Sequence, residues 1–222
     1  MLYEIAEMAK KELESIKDDE KEIKERFYTE LEFGTGGLRG IIGAGINRMN
    51  IYTVARASMG VAKYVLENAK GKAASVAIAY DSRIKSELFA RTAAQVLAAN
   101  GITAYIYNEL MPTPMLSFAV RRLGCSSGIV LTASHNPSKY NGYKCYCADG
   151  FQMTDADADA VTERIRRVDL FDGVRLADFS EAVESGLITM VGQSLVHKYL
   201  DRVAEQQVNP SICAKGGLKV IY

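Results

Sequence analysis

The chain has 222 residues and 48% of them are apolar, enough to bury the core of one large domain, or of one domain and part of another. Lys plus Arg and Asp plus Glu balance at 27 each, so neither the basic surplus of a nucleic-acid binder nor an acidic tail is present. Apolar runs such as SVAIA and GIVL are too short to cross a bilayer, and the charged opening MLYEIAEMAKKELESIKDDEK carries no secretory signal, so a cytoplasmic protein is expected.

In chain order, residues 2–32 predict one or two charged helices, with Ile23, Phe27 and Leu31 as a narrow apolar stripe. The glycine-rich run Phe33-Gly34-Thr35-Gly36-Gly37-Leu38-Arg39-Gly40 ends them, and a short strand is expected over 38–42. Asn50 is placed to cap a helix with Ile51, Val54, Ala55, Val61, Ala62, Val65 and Leu66 on one face, ended by Gly71. A strand over 75–80 precedes a helix from a Ser86 cap to Asn100, with Gly101 behind it. Then come a strand over 102–107 and a helix opened by Thr113-Pro114 and closed by Gly124. A strand over 127–131, a turn at Asn141-Gly142 and a strand over 143–148 follow. Beyond Asp149-Gly150, helices are expected near 155–168 and 193–207, with no strand assigned between them. The chain closes on Gly217-Leu218-Lys219-Val220-Ile221-Tyr222, which reads as the opening of a further strand.

Strands alternating with helices predict an α/β/α sandwich with a mostly parallel mixed sheet. The link into 143–148 is too short for a helical crossover, so that last strand is expected to be antiparallel. The expected division is a helical extension over 1–32, an α/β/α domain over 33–185 and the start of a second α/β domain over 186–222. The opened final strand suggests a longer polypeptide continuing past Tyr222. Cys125, Cys145, Cys147 and Cys213 form no CxxC pair and have no histidine at zinc spacing, so they read as free thiols of a reducing compartment.

The chemistry is sought in GIVLTASHNPSKYNGYK. In a parallel sheet, loops at the carboxyl ends of strands line the binding crevice, and Ser134 lies just past such an end. A serine hydroxyl is a poor nucleophile until activated or modified. The elbow GxSxG is absent, and adjacency of Ser134 and His135 does not by itself make a catalytic dyad. A phosphoserine explains more of the pattern. It would carry about two negative charges and need cations and N–H donors around it. Lys144 and Arg39 supply the charge if the glycine-rich run lies beside the serine loop. That run is neither GxxxxGK[ST] nor GxGxxG, and its glycines would instead let backbone approach an anion. The plain alternatives are a polar strand-to-turn loop and a tight turn.

FGTGGLRG at 33–40, YDSR at 80–83 and TASHNPSKYNGYK at 132–144 together resemble the α-D-phosphohexomutase superfamily, closely over about residues 30–150. The run FGTGGLRGIIGAGINRMN after a helical extension is most similar to the long phosphoglucomutase branch, which includes phosphopentomutases. The resemblance implies that Ser134 is phosphorylated and exchanges its phosphoryl group with a sugar phosphate, through a bisphosphate such as glucose 1,6-bisphosphate, which also serves as activator. It implies Mg²⁺ on a phosphate oxygen of Ser134, Lys144 as proton shuttle or charge stabiliser, and His135 and Asn136 framing the phosphoserine. Thr35, Gly36 and Arg39 would line the same pocket. Arg83 is a weaker carry-over, as a phosphate ligand or an internal ion pair with Asp81. The implied partner is a small sugar phosphate; nucleic acid and membrane are not implied.

The family's D-x-D-x-D-R metal loop has no match. Asp155-Ala156-Asp157-Ala158-Asp159-Ala160 lacks the arginine, and reads as a helix start with Thr154 as N-cap and aspartates facing the positive helix end. It fails as an EF-hand, with Ala160 where glycine is required. His197 reads as a surface histidine of a helix. Without the metal, sugar and C-terminal phosphate loops, these 222 residues alone are expected not to complete a mutase cycle. Phosphomannomutase, phosphopentomutase and a freestanding non-catalytic phosphosugar-binding module are the competing readings.

Overall fold

The computed structural model describes residues 2–214, 216, 217 and 219, so most of the predicted closing strand, 218 and 220–222, lies outside the described residues. Helices α1 (Leu2–Ser15) and α2 (Glu20–Phe27) lead to β1 (Gly37–Ile41). The alternation follows: α3 (Ile51–Ala69), β2 (Ser75–Tyr80), α4 (Ser86–Ala99), β3 (Thr103–Tyr107), α5 (Thr113–Leu123), β4 (Ser127–Leu131) and β5 (Tyr140–Cys147). Then come α6 (Asp155–Arg166), α7 (Phe179–Glu184), β6 (Ile188–Val191), α8 (Gln193–Ala204) and α9 (Ser211–Ala214). The chain divides into two compact units, 1–191 and 192–222.

The first unit holds a six-stranded sheet in the order β1-β5-β4-β2-β3-β6. β2, β3, β4 and β6 pair in parallel, while β5 runs antiparallel to both β4 and β1. This is the mostly parallel mixed sheet with an antiparallel strand that the alternation predicts. β2 is buried at every position but its first, as a continuous apolar strand covered on both faces must be. One face packs on α3 and α4, joining Val54, Val61, Phe89 and Leu97 to Ile78, Ile129, Leu131 and Tyr143. α5 covers the other face so closely that a Cβ on Gly128 would lie 2.5 Å from Val120 Cγ2.

Local expectations meet the structure unevenly. Asn50 caps α3 through a full capping box, and Gly124 closes α5 in the left-handed conformation. Leu66 is exposed, because the buried face of α3 ends at Val65. Ser86 is not a cap. Lys85 holds that position, and the Ser86 hydroxyl donates to Asp81 Oδ1 at 2.9 Å. Pro112 rather than Thr113 is the N-cap of α5. Asn141-Gly142 is not a turn but lies inside β5, opposite Gly40 and Arg39. α2 buries no residue, so the Ile23–Phe27 stripe does not dock it. Arg26 docks it instead, donating to Glu12 Oε1 of α1 at 2.5 Å and to the Ala44 carbonyl at 3.0 Å, braced by Glu22 Oε2 of its own helix at 3.0 Å. β6 is a strand that the sequence reading did not assign.

In the second unit, α8 follows Gly192 as its N-cap, buries Leu195 and leaves His197 exposed, as expected for a surface histidine. No helix among the described residues is long and apolar enough to cross a membrane.

Candidate active site

β4 ends at Leu131 and the chain turns through 132–139 before entering β5. Thr132 starts the turn. Its N–H donates to the Gly142 carbonyl at 3.0 Å, and its Oγ1 accepts the Ser134 N–H at 2.9 Å. Ser134 is exposed and left-handed, with φ 54°. That conformation costs a non-glycine residue about 1–3 kcal/mol and persists only where neighbours over-determine it. The Ser134 hydroxyl lies 3.4 Å from His135 Nδ1, a long contact between exposed side chains.

Arg83 supplies much of that determination. Its Nη2 donates to the carbonyls of Ser134 (2.5 Å) and Asn136 (2.7 Å), and its Nη1 to those of Pro137 and Tyr140 (3.2 Å each). Its Nε faces Asp81 Oδ2 at 3.7 Å. A guanidinium has five N–H donors. Its Nη donors are engaged by backbone carbonyls of 134–140 and its Nε faces Asp81, an arrangement in keeping with the ion-pair alternative and with a loop-building role.

The glycine-rich run and the serine loop do come together, through β1 and β5. Arg39 stands opposite Gly142, and Gly37 opposite Lys144. Directly opposed residues of an antiparallel pair share a face, so Arg39 and Lys144 project from one side of the sheet. Arg39 Nη1 reaches Asn136 Oδ1 at 3.4 Å. Lys144 is half-buried, and its side chain has no hydrogen-bond or ion-pair partner among the described residues. The close approach of β1 to β5 demands glycine: a Cβ on Gly37 would lie 2.1 Å from the Tyr143 carbonyl oxygen.

Thr35 and Gly36 bond elsewhere. The Gly36 carbonyl accepts the Cys145 N–H at 2.7 Å, and the Thr35 carbonyl accepts Gln152 Nε2 at 2.7 Å. Thr35 also lines a cavity of ≈ 590 Å³ with Arg56, Asp155 and Asp159, to which Ser134 does not contribute. The sequence reading missed Asp81, Ser86, Thr132, Asn141 and Gly142 as builders of the loop. The Asp81-x-Arg83 spacing was a usable signal, because Asp81 Oδ1 accepts the Arg83 N–H at 3.0 Å in an Asx turn.

No group of three or more His, Cys, Asp or Glu suited to a metal ion occurs among the described residues. Asp157 of the acidic run is engaged as a structural residue. It accepts the Tyr64 hydroxyl at 2.7 Å and the Thr154 hydroxyl at 2.8 Å, which hold its carboxyl below the usual range.

Comparison with known proteins gives a consistent picture. Residues 30–171 match the family described as phosphoglucomutase/phosphomannomutase, alpha/beta/alpha domain I. A phosphoglucomutase of Staphylococcus saprophyticus subsp. saprophyticus is 39% identical over 184 residues, covering 83% of this chain and 33% of the relative. A Schizosaccharomyces pombe protein named "Probable phosphoribomutase" is 44% identical over 134 residues, 60% of this chain and 23% of the relative. A phosphoglucomutase/phosphomannomutase family protein from Burkholderia thailandensis shares the fold, with a TM-score of 0.60 at 21% identity over 78% of this chain and 35% of that one. The chain thus spans a third or less of the length of the curated relatives it matches.

Proposed function

The chain belongs to the phosphoglucomutase/phosphomannomutase family, and from that premise we propose that Ser134 is the phosphoryl-carrying serine of a phosphosugar mutase interconverting glucose 1-phosphate and glucose 6-phosphate. The observation that carries this reading is the exposed, left-handed Ser134 at the end of β4, with Arg39 and Lys144 on one face of the adjoining β1–β5 pair.

In this reading, phosphorylated Ser134 gives its phosphoryl group to a free hydroxyl of the bound sugar phosphate. The Oγ–P bond breaks, a new O–P bond forms on the sugar, and the hydroxyl proton leaves to a base. The bisphosphate turns over in the site, and its other phosphate returns to Ser134. Phosphoryl transfer proceeds through a loose transition state with charge spread over its oxygens, so positioning and electrostatics dominate. Lys144 stabilises that charge or relays the proton, Arg39 adds positive charge, and His135 and Asn136 frame the serine. Glucose 1,6-bisphosphate phosphorylates an unmodified Ser134 and so acts as activator. Mg²⁺ would neutralise phosphate charge during transfer. The described residues do not form a site for it by themselves, and a phosphate oxygen on Ser134 would be the ligand from this side.

The relatives' greater length supports reading these 222 residues as the serine-bearing portion of a longer enzyme, inactive in turnover alone. The likeness to the S. pombe protein favours a pentose phosphate as the second substrate reading. The test is Ser134→Ala in the polypeptide that carries this chain. Mutase turnover is expected to fall by ~10⁴-fold or more, as for loss of a covalent catalytic residue. Near-normal turnover would refute the assignment. Sugar-phosphate binding without turnover in the unsubstituted polypeptide would favour a binding module.

A further inference from the structure

Arg83 sits at the end of a buried polar relay that returns to the serine loop. Asn141, fully buried in β5, donates through Nδ2 to the Ile84 carbonyl at 2.9 Å and to Ser86 Oγ at 3.0 Å. Ser86, also buried, accepts from Asn141, so its own proton goes to Asp81 Oδ1 at 2.9 Å. Asp81 accepts the Arg83 N–H and faces the Arg83 Nε. Arg83 then holds three carbonyls of the serine loop and that of Tyr140, the first residue of β5, next to Asn141. Asp81 and Arg83 of the β2–α4 turn, with Ser86 at the start of α4 and Asn141 of β5, therefore make a fitted seat for the serine loop.

The seat fixes where the loop's peptide groups point. The Ser134–His135 peptide is trans, so its N–H points away from the carbonyl that Arg83 holds. The His135 N–H has no hydrogen-bond partner among the described residues. With the carbonyl held by Arg83, this donor faces away from the guanidinium.

We propose that Arg83, fixed by Asp81, Ser86 and Asn141, is a positioning residue for phosphoryl transfer. It locks Ser134 in its left-handed conformation and leaves the His135 amide free as a donor to the phosphoryl oxygens. This rests on the reading of Ser134 as the phosphoryl carrier. It differs from that reading in giving Arg83 no contact with substrate.

The test compares Arg83→Lys and Ser86→Ala with wild type in two measurements. The first is kinetics of the polypeptide that carries this chain. A lysine keeps the charge but offers three donors rather than five. For Arg83→Lys, kcat is expected to fall about 100-fold, as for a misplaced reacting group, with KM within threefold. Ser86→Ala, which weakens the relay without touching the loop, is expected to give a smaller loss of the same kind. A phosphate-binding arginine would raise KM instead, and that result would overturn the proposal. The second measurement is the strong intraresidue HN–Hα NOE of Ser134, which marks positive φ, in the 222-residue chain. It is expected to weaken in Arg83→Lys while the amide signals of β2 and β3 keep their positions. An unchanged Ser134 NOE would also overturn the proposal. If Ser134→Ala keeps its turnover, the carrier reading fails, and the NOE comparison still decides whether Arg83 sets the loop.

Discussion

Three non-glycine residues have positive φ among the described residues: Lys70, Lys85 and Ser134. Lys70 ends α3, where a left-handed residue satisfies C-cap geometry, and Lys85 immediately precedes α4. Ser134 flanks none, and its conformation is held by side chains from distant parts of the chain. Gly142 shares in this. A Cβ there would lie 2.5 Å from the Thr132 carbonyl oxygen and 3.0 Å from that of Leu38, both of them backbone atoms unable to swing aside. Gly142→Ala is expected to lower stability by about 1–3 kcal/mol through overpacking, and to shift the Ser134 amide signal. Urea denaturation with an amide spectrum checks both, and wild-type values in each would show that the contact is not limiting. Ser134, Asn136, Lys144 and Arg39 were legible because they sit in a recognisable motif. The work of Asp81, Ser86 and Asn141 was not, because their partners lie up to 57 residues away and only the fold brings them together.

Among the elements, α3 and α6 are joined by a polar contact as well as by packing. The Tyr64 hydroxyl donates to Asp157, and burial together with that bond pushes the Tyr64 phenol up to about 12. Asp157 is held below its ordinary value by Tyr64 and Thr154. A depressed carboxyl stabilises the fold above its unfolded pKa, and the contribution is lost as pH falls through the folded value. Tyr64→Phe is therefore expected to cost about 1 kcal/mol near pH 7, with the gap to wild type closing below about pH 4. Thermal melts across that range test it, and a gap independent of pH would remove Asp157 from the account. The long alternating elements were legible from periodicity and caps. α2 misled because its apolar spacing faces solvent, and its docking lies in the Arg26–Glu12 ion pair and the Arg26 bond to the Ala44 carbonyl. β6 was missed because Ile188-Thr189-Met190-Val191 offers only four residues, with its two central positions exposed.

At the scale of the sheet, one antiparallel strand decides which stretches meet beside the serine loop. Because β5 runs antiparallel between β4 and β1, it sets the strand leaving the serine loop, with Lys144, alongside the glycine-rich run. Two stretches nearly a hundred residues apart are thereby joined, as the contact of Arg39 with Asn136 records. The sheet order was not legible from sequence, since periodicity gives strands but not their neighbours. The most direct test is peptide-level mass spectrometry of the polypeptide carrying this chain after exposure to glucose 1,6-bisphosphate and Mg²⁺. The account predicts one phosphoryl group, on Ser134. Sugar-phosphate turnover with Ser134 unmodified throughout, or with the phosphoryl group on another residue, would contradict it.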